Sequence, residues 1–587
     1  MARLAAFILA VLSAAWLFSL PSQAAVAAVA LVVSVALFLG FIAIHARARA
    51  EEKRARALAE LNGLGVARVR RDWPSLPLPR EIIPLDHPYA SDLDVAGTTA
   101  SLYRLLDVVS AATGRPVLLR WLLDSPPPVA ELGERQKAVA ELAEAVQLRE
   151  EMAVLARRGH DVAPEQLATF FDWAESEPWL RTRPVLLWTA RIIPVVTIAT
   201  AVLALFGRLP STAPLLSIVV GLFFLARYRA AMNEHLTSVL RRGTGLRPQR
   251  RMLDVLAESR FASPLLQREQ SSAMKGTAGL RALERCLSLL EGQGSLVHAI
   301  LAAVVLWDVH ALAWLDHWRT RYGRSLRPSL DSLGNVEALA ALGTLAYDNP
   351  AWPFPEVDPA AAQLKATMLA HPLIAPVTRV GNDVSVGPPG TLLLVTGSNM
   401  SGKSTLLRAV GLNVVLAQAG APVCARSLTM PLVEVRTSIR LADSLERGVS
   451  LFMAELQRLK EIVDAAHAPN RARPLLYLLD EILHGTNTAE RLIAARAVLV
   501  HLVRAGAIGA VTTHDLTLAA DGALATAARA VHFTEQVSAT TGDGAGKMSF
   551  DYRLRPGLAT STNALKLLAL VGLGLPEAVE PPATSTR

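Results

Sequence analysis

Two cysteines, Cys286 and Cys424, are all that the 587 residues contain. They stand far apart, with no CxxC and no histidine-rich neighbour, which excludes a disulfide framework and a structural zinc site. A reducing, cytosolic setting fits the bulk of such a chain. Charge is scarce too: Asp, Glu, Lys and Arg make up 19% of the residues, where an ordinary soluble protein carries about 25%. With 59 Lys and Arg against 51 Asp and Glu, the net charge is only +8, so neither an acidic disordered chain nor a histone-like one is at hand. Apolar residues fill the space that charge leaves, at 52% of the chain, and direct attention to membrane segments. At about 150 residues per domain the length corresponds to roughly four domain-sized units, which excludes a single small binding module.

Two apolar runs, Leu4 to Leu20 and Ala24 to Ile44, are separated only by Pro21, Ser22 and Gln23. Each is close to the ~20 residues that cross a bilayer, so residues 1–46 read as a transmembrane hairpin. For the first run a cleaved signal peptide is the alternative, because Arg3 precedes it and Ser22-Gln23-Ala24 resembles a cleavage site. The following stretch, His45 to Arg56, is rich in Lys and Arg and stays on the cytoplasmic side. The sequence thus predicts a multi-pass protein of the cell membrane with its bulk in the cytoplasm. Residues 47–90 read as a basic cytosolic linker. Residues 91–184 read as a helical core, from apolar spacings of three and four at Leu102, Leu105, Leu106 and Val109 and again at Leu132, Val139 and Leu142.

A second pair of apolar runs, Val185 to Phe206 and Leu209 to Ala226, is interrupted by Gly207-Arg208 and by Pro210-Ser-Thr-Ala-Pro214. Residues 185–226 therefore read as a second transmembrane hairpin, with Arg181, Arg183, Arg227 and Arg229 keeping both ends inside. A buried helical hairpin of a soluble core is the alternative. Helical spacing resumes over 227–370, where Leu296 to Trp307 is too short for a bilayer and reads as a core helix. From about Gly381 the texture changes to short apolar runs alternating with helical stretches, the pattern of a parallel α/β sheet. The expected fold is an α/β P-loop domain over 371–555, preceded by an all-α region with transmembrane helices.

Leu392-Leu-Leu-Val-Thr-Gly397-Ser-Asn-Met-Ser-Gly402-Lys403-Ser404-Thr405 is an apolar strand running into G-x-x-x-x-G-K-S and then a helix, a P-loop in its required context. Gly397, Ser398, Asn399, Met400, Ser401, Gly402, Lys403, Ser404 and Thr405 are the candidate nucleotide-binding residues. Their backbone N–H groups and the helix N-terminus cradle phosphate, and Lys403 sets a cation on the β and γ phosphates. Ser404 offers a hydroxyl to Mg²⁺. A second apolar strand, Leu475-Leu-Tyr-Leu-Leu-Asp480-Glu481, supplies Asp480 for the Mg²⁺ shell and Glu481 as the base for an attacking water. A third strand, Ile508 to Thr513, ends at His514, whose imidazole is placed to sense the γ-phosphate. The cofactors implied are ATP and Mg²⁺.

The stretch from His371 to Pro576 resembles the ATPase domain of the MutS family of mismatch-repair proteins. Thr396 to Thr405 is similar to its P-loop, with Ser398 where proline is usual and Ser401 where glycine is common; Asn399 matches the family's asparagine. Ser450-Leu-Phe452-Met453-Ala-Glu455 resembles its S-x-F-M-x-E segment, which implies that Ser450 reaches the nucleotide of a partner subunit. Asp480 to Thr488 resembles the second nucleotide motif and its loop, departing at Leu483, His484 and Asn487. Thr513-His514 matches the T-H switch. Gly557 through Gly572 resembles the C-terminal helical pair that holds the family's dimer, within a segment 556–576 ahead of a disordered tail, 577–587. A homodimer through the ATPase domain is implied. No L-S-G-G-Q precedes Asp480, which sets the chain apart from ABC transporters.

Upstream, Asp92-Leu-Asp94 through Arg135-Gln136-Lys-Ala-Val139 resembles the family's helical core and levers, which lead to a clamp that closes on DNA. The second hairpin interrupts that region where the clamp is expected, and a membrane anchor stands in place of the mismatch reader. Phe354-Pro-Glu356 and Phe533-Thr-Glu535 match the reader's letters only by coincidence. Arg47 to Arg56, Arg68-Val-Arg70-Arg71, and Arg241-Arg242 with Arg247, Arg250 and Arg251 are candidate DNA contacts, although lipid headgroups explain them too. The resemblance implies ATP-dependent DNA binding of the mismatch-repair type at the bilayer. The alternative is an ATP-driven mechanotransducer or transport-like assembly that acts on its own membrane hairpins without DNA.

Overall fold

The computed structural model describes residues 2–19, 21–79, 87–108, 113–157, 164–288, 290, 302, 304–398, 401–440, 451–469, 471–483, 488–519, 522, 524–538 and 547–558. Two compact units are present, residues 1–66 and 67–587. In the first, helix Ala2–Ser19 and the start of helix Ala24–Arg70 flank a short turn at Pro21–Gln23. The ring centroids of Phe7 and Phe38 lie 5.7 Å apart, so the two helices run back along each other. Both are long and apolar enough to cross a membrane. The second helix continues unbroken to Arg70, so the first part of the segment read as a linker is helical. Its sequence from Ala48 is rich in Ala, Leu, Glu, Lys and Arg, all strong helix formers, and Glu52 pairs with Arg56 one turn on.

The second unit begins with short helices at Leu102–Leu106, Gly114–Leu123, Val129–Glu144 and Val146–Arg157. They pack, together with helices Arg247–Glu258 and Pro264–Ser288, around a central helix Arg324–Asp348 that buries residues on all of its faces. Helix Trp307–Trp318 starts where a core helix was expected to end: Leu306 has φ +53°, a left-handed conformation that breaks any helix running into it. Residues 296–301 and 303 of that expected helix lie outside the described residues.

Helices Pro184–Leu205 and Ala213–Gly243 form the second hairpin, at the place expected, but its second arm runs well past Ala226. Leu186, Ala190, Ile193 and Thr197 form one inward stripe at four- and three-residue spacing. A hydroxyl pair, Thr197 Oγ1 to Ser217 Oγ at 2.9 Å, ties the arms together. The opposite stripe leaves Val185 and Val195 more than 60% exposed, with Trp188, Ile192 and Ile198 beside them. A helix apolar on both faces does not suit a water-facing surface. Its 22 residues rise about 33 Å, close to the ~30 Å of a bilayer's hydrocarbon core.

Among the described residues ten strands follow: β1 Glu356–Val357, β2 Leu364–Leu369, β3 Asn382–Val386, β4 Leu392–Thr396, β5 Ser427–Met430, β6 Glu434–Ser438, β7 Leu475–Asp480, β8 Ile508–Thr512, β9 Ala528–Ser538 and β10 Lys547–Pro556. A four-stranded sheet has the order β1-β5-β2-β3, and a six-stranded one β10-β9-β4-β8-β7-β6. The sheets therefore draw in strands from Glu356 on, upstream of the expected start at 371. In the larger sheet β6, β7, β8, β4 and β9 are parallel and β10 is an antiparallel edge. Its central strands are buried on both faces, which is why they read as unbroken apolar runs. Leu393 and Val395 point to helix Lys403–Ala419 and the helical core beyond it. Leu392 and Leu394 point the other way, into a core shared with helices Leu451–His467 and Thr488–Arg504.

Candidate functional site

Parallel strands all present their C-terminal ends at one edge, and in an open α/β sheet that edge is where ligands sit. Here β4 ends in Gly397, β7 in Asp480 and Glu481, and β8 in Thr513 and His514. Gly397 has φ +143° and Gly402 φ +106°, conformations that L side chains rarely adopt. A Cβ at Gly397 would also come within 3.0 Å of Phe533 O and Ser401 Oγ. Glycine at both positions lets the loop turn back over the first residues of helix Lys403–Ala419, whose free N–H groups and dipole favour an anion. Ser401 Oγ is buried there with no hydrogen-bond partner among the described residues.

Lys403 is the hub of the site. Its side chain is 4% exposed, and Nζ donates to Gly397 O at 3.0 Å and Ser398 O at 2.9 Å. Glu481 Oε1 lies 3.1 Å from Nζ and 2.5 Å from His514 Nε2, and His514 Nε2 is 3.3 Å from Nζ. Three side chains from three strand ends thus meet. Glu481 holds φ +46° and Leu483 φ +65°, left-handed positions that cost non-glycine residues about 1–3 kcal/mol each. The turn is held by Glu481 N donating to Thr512 Oγ1 at 3.1 Å and Leu483 N donating to Glu455 Oε1 at 2.5 Å. Thr512 Oγ1 in turn donates to Asp480 Oδ1. Glu455, buried on helix Leu451–His467, is the last letter of the segment that begins at Ser450.

A cleft of about 580 Å³ opens beside these groups, lined among others by Ser398, Lys403, Ser404, Thr405, Glu481 and Tyr552. The donor set suits a phosphate chain: loop glycines, a buried lysine, an unpartnered buried hydroxyl and a helix start. Ser404 on the loop helix and Asp480 on β7 are the oxygen donors that could hold Mg²⁺, an ion that takes one or two protein ligands and fills its shell with water and phosphate. Among the described residues no group of three His, Cys, Asp or Glu side chains is placed to hold a metal alone.

Of the residues expected from sequence, Gly397, Ser398, Ser401, Gly402, Lys403, Ser404, Thr405, Asp480, Glu481 and His514 gather at this edge. Asn399, Met400 and Ser450 lie outside the described residues, as does most of the C-terminal segment 556–576. Three neighbours were not foreseen. Thr512 steadies both acids, Tyr552 brings an aromatic ring to the cleft from β10, and His371 lines its far wall. Nothing in their spacing sets them apart; only the sheet order brings them here.

Burial, reinforced by the charges of Arg408 and Arg379, lowers the pKa of His371 to about 4. The folded protein holds this imidazole uncharged while the unfolded chain takes up a proton near pH 6.5, so stability falls as the pH drops through that window. At pH 4.5 the loss is up to about 3 kcal/mol at 1.36 kcal/mol per unit. Melting curves between pH 7 and 4.5 should fall less steeply for His371→Gln than for the wild type; parallel curves would refute this.

Several of the candidate DNA contacts are used up inside the fold. Arg68 pairs with Asp348 at 2.8 Å, and Arg71, buried, donates through Nε to Pro372 O at 2.9 Å. Arg250 pairs with Glu284 at 2.8 Å and with Asp254.

Comparison with known proteins bears on the same region. Residues 393–586 match the sequence profile of MutS domain V. The chain is 36% identical over 203 residues to DNA mismatch repair protein MutS 2 of Haloarcula marismortui, covering 34% of this chain and 20% of that protein. It is 32% identical over 259 residues to DNA mismatch repair protein MutS of Myxococcus xanthus, covering 42% and 27% respectively. With the protein of the same name from Azorhizobium caulinodans it shares 32% over 265 residues, 43% of this chain and 27% of that one. The chain thus spans about a quarter of the length of these curated relatives. The C-terminal third is thus similar in sequence to MutS domain V, a P-loop ATPase domain.

Proposed function

We propose that this protein is a membrane-anchored ATP hydrolase of the MutS kind that works as a homodimer through its ATPase domains. The meeting of Lys403, Glu481 and His514 above the P-loop supports the hydrolase reading most directly. When ATP enters, its phosphates compete with Glu481 for the Lys403 ammonium, and the loop N–H groups hold the β-phosphate. Glu481, released, takes the proton from a water whose oxygen attacks the γ-phosphorus as the bond to the β–γ bridging oxygen breaks. ADP and inorganic phosphate leave. Ser404 and Asp480 would hold Mg²⁺, which would supply charge neutralisation along the phosphates. His514 is within reach of both Glu481 and Lys403 and so registers whether they are together or apart. Ser450 of each subunit completes the site of the other.

The relatives are named DNA mismatch repair proteins, which supports ATP-dependent DNA binding at the membrane as the first reading of this chain's task. One observation favours a second reading: the apolar hairpin of Pro184–Leu205 and Ala213–Gly243 belongs to the same compact unit as the ATPase. Hydrolysis would then act on helices in lipid, with no DNA involved. A mobility-shift titration of the detergent-solubilised protein across salt concentrations decides between them. The DNA reading requires binding that weakens steeply with salt, by about 10³-fold or more between 50 and 200 mM for six phosphate contacts. Absence of binding at low salt would reject it and leave the second reading.

A further inference from the structure

Residues 88–94, ahead of the first core helix, reach three elements of the ATPase at once. Asp92 has no exposed surface and sits as a carboxylate among four donors from the ATPase side. Thr437 Oγ1 donates to its Oδ2 at 2.7 Å, Ile439 N to Oδ2 at 2.9 Å, Arg440 N to Oδ1 at 3.2 Å, and Arg458 Nη2 lies 3.1 Å from Oδ2. Thr437 and Ile439 belong to the end of β6 and the residue after it, and Arg458 to helix Leu451–His467. Arg458 is also fixed by donating through Nε to Thr437 O at 2.8 Å. The third element is the P-loop helix: Arg408 Nε donates to Asp92 O at 3.0 Å, and Leu93 fills the space beside Gly411. A Cβ on Gly411 would meet Leu93 Cδ2 at 2.5 Å, so Leu93 keeps this position only beside glycine and would have to shift for a larger residue.

Arg458 and Glu455 are three residues apart on one helix and therefore share a face. Glu455 holds the Leu483 amide and with it the left-handed turn that starts at Glu481. From Asp92 to Glu481 there is thus a path of two polar contacts joined by the backbone: Asp92 to Arg458, one helical turn to Glu455, Glu455 to the Leu483 amide, and the tight turn back to Glu481. We infer that Asp92 is a positioning residue for ATP hydrolysis, through which the helical region sets the placement of the Glu481 carboxylate. Its bonds to β6 and to the P-loop helix keep the same carboxylate in register with Lys403. The inference rests on the ATPase reading above.

Positioning and mere stabilisation predict different kinetics. Arg458→Gln keeps the bonds that Asp92 accepts from Thr437, Ile439 and Arg440, and removes what ties Asp92, Thr437 O and Pro88 O to the helix of Glu455. It is expected to lower the kcat of the folded protein about tenfold with KM for ATP within about twofold of wild type, because a misplaced base affects the transition state alone. Arg458→Lys should recover part of the loss, and Asp92→Asn should show the same split with a larger fall in kcat. The inference is overturned if Arg458→Gln keeps kcat within twofold of wild type, or if both variants lose activity only in proportion to their folded fraction. Failure of the wild-type protein to hydrolyse ATP would sink the ATPase reading itself, and that result is seen before any variant is made.

Discussion

Glu481→Gln is expected to lower ATP turnover by about two orders of magnitude or more while ATP binds at least as tightly as before. The two halves of that result have separate causes. Turnover falls because an amide takes no proton from water, and general-base catalysis contributes about 10²–10⁴-fold where it operates. Binding does not fall, because Glu481 competes with the nucleotide: its Oε1 lies 3.1 Å from Lys403 Nζ, the group the phosphates need. An amide in its place removes the charge that holds Lys403 and keeps the shape of the side chain. The uncleaved nucleotide should then hold the dimer together, since the proposed site is shared between subunits. Equilibrium binding of a fluorescent ATP analogue, single-turnover hydrolysis and light scattering read the three consequences separately. Turnover within a few-fold of wild type would remove Glu481 from the role of base and shift attention to His514, which is in reach of the same oxygen.

The site chemistry was legible because a P-loop ATPase writes it locally: an apolar run of five or six residues, then the chemistry, with no intervening loop. Leu392–Thr396 ends in Gly397, Leu475–Asp480 in Glu481 and Ile508–Thr512 in Thr513-His514. The apolar helices were legible for a similar reason: Ala2–Ser19, Ala24–Arg70 and Pro184–Leu205 are long and apolar enough to cross a membrane, and length and apolarity are read directly from the sequence. What escaped is non-local or double-edged. The carboxylate of Asp92 and its partner Thr437 are 345 residues apart, and no spacing rule joins them. The stretch after His45 reads as a basic linker because its charge dominates the eye, whereas its Ala, Leu, Glu and Lys content continues the helix to Arg70. The first strands escaped as well: Leu364–Leu369 alternates buried and exposed residues only in part, and its partners β3 and β5 both come later in the chain.

Lys403→Met is expected to weaken ATP binding by roughly 100-fold, the equivalent of about 3 kcal/mol from lost charge-assisted hydrogen bonds to phosphate. Methionine keeps the unbranched stem that fills the buried position, so the fold survives the change and affinity is the quantity read. The ammonium is the sole group removed, yet it serves two masters: it bridges Gly397 O and Ser398 O across the loop, and it neutralises Glu481. Losing the first loosens the phosphate cradle. Losing the second leaves the Glu481 carboxylate facing the anion without the ammonium that offset it, so repulsion adds to the missing attraction. That second effect makes the combination informative: Lys403→Met with Glu481→Gln should bind ATP better than Lys403→Met alone, a sign of coupling between two charges in contact. Isothermal titration of the four proteins closes the cycle. ATP affinity unchanged in Lys403→Met would mean that phosphate is not held at this loop, and with it the nucleotide site would have to be sought elsewhere in the chain.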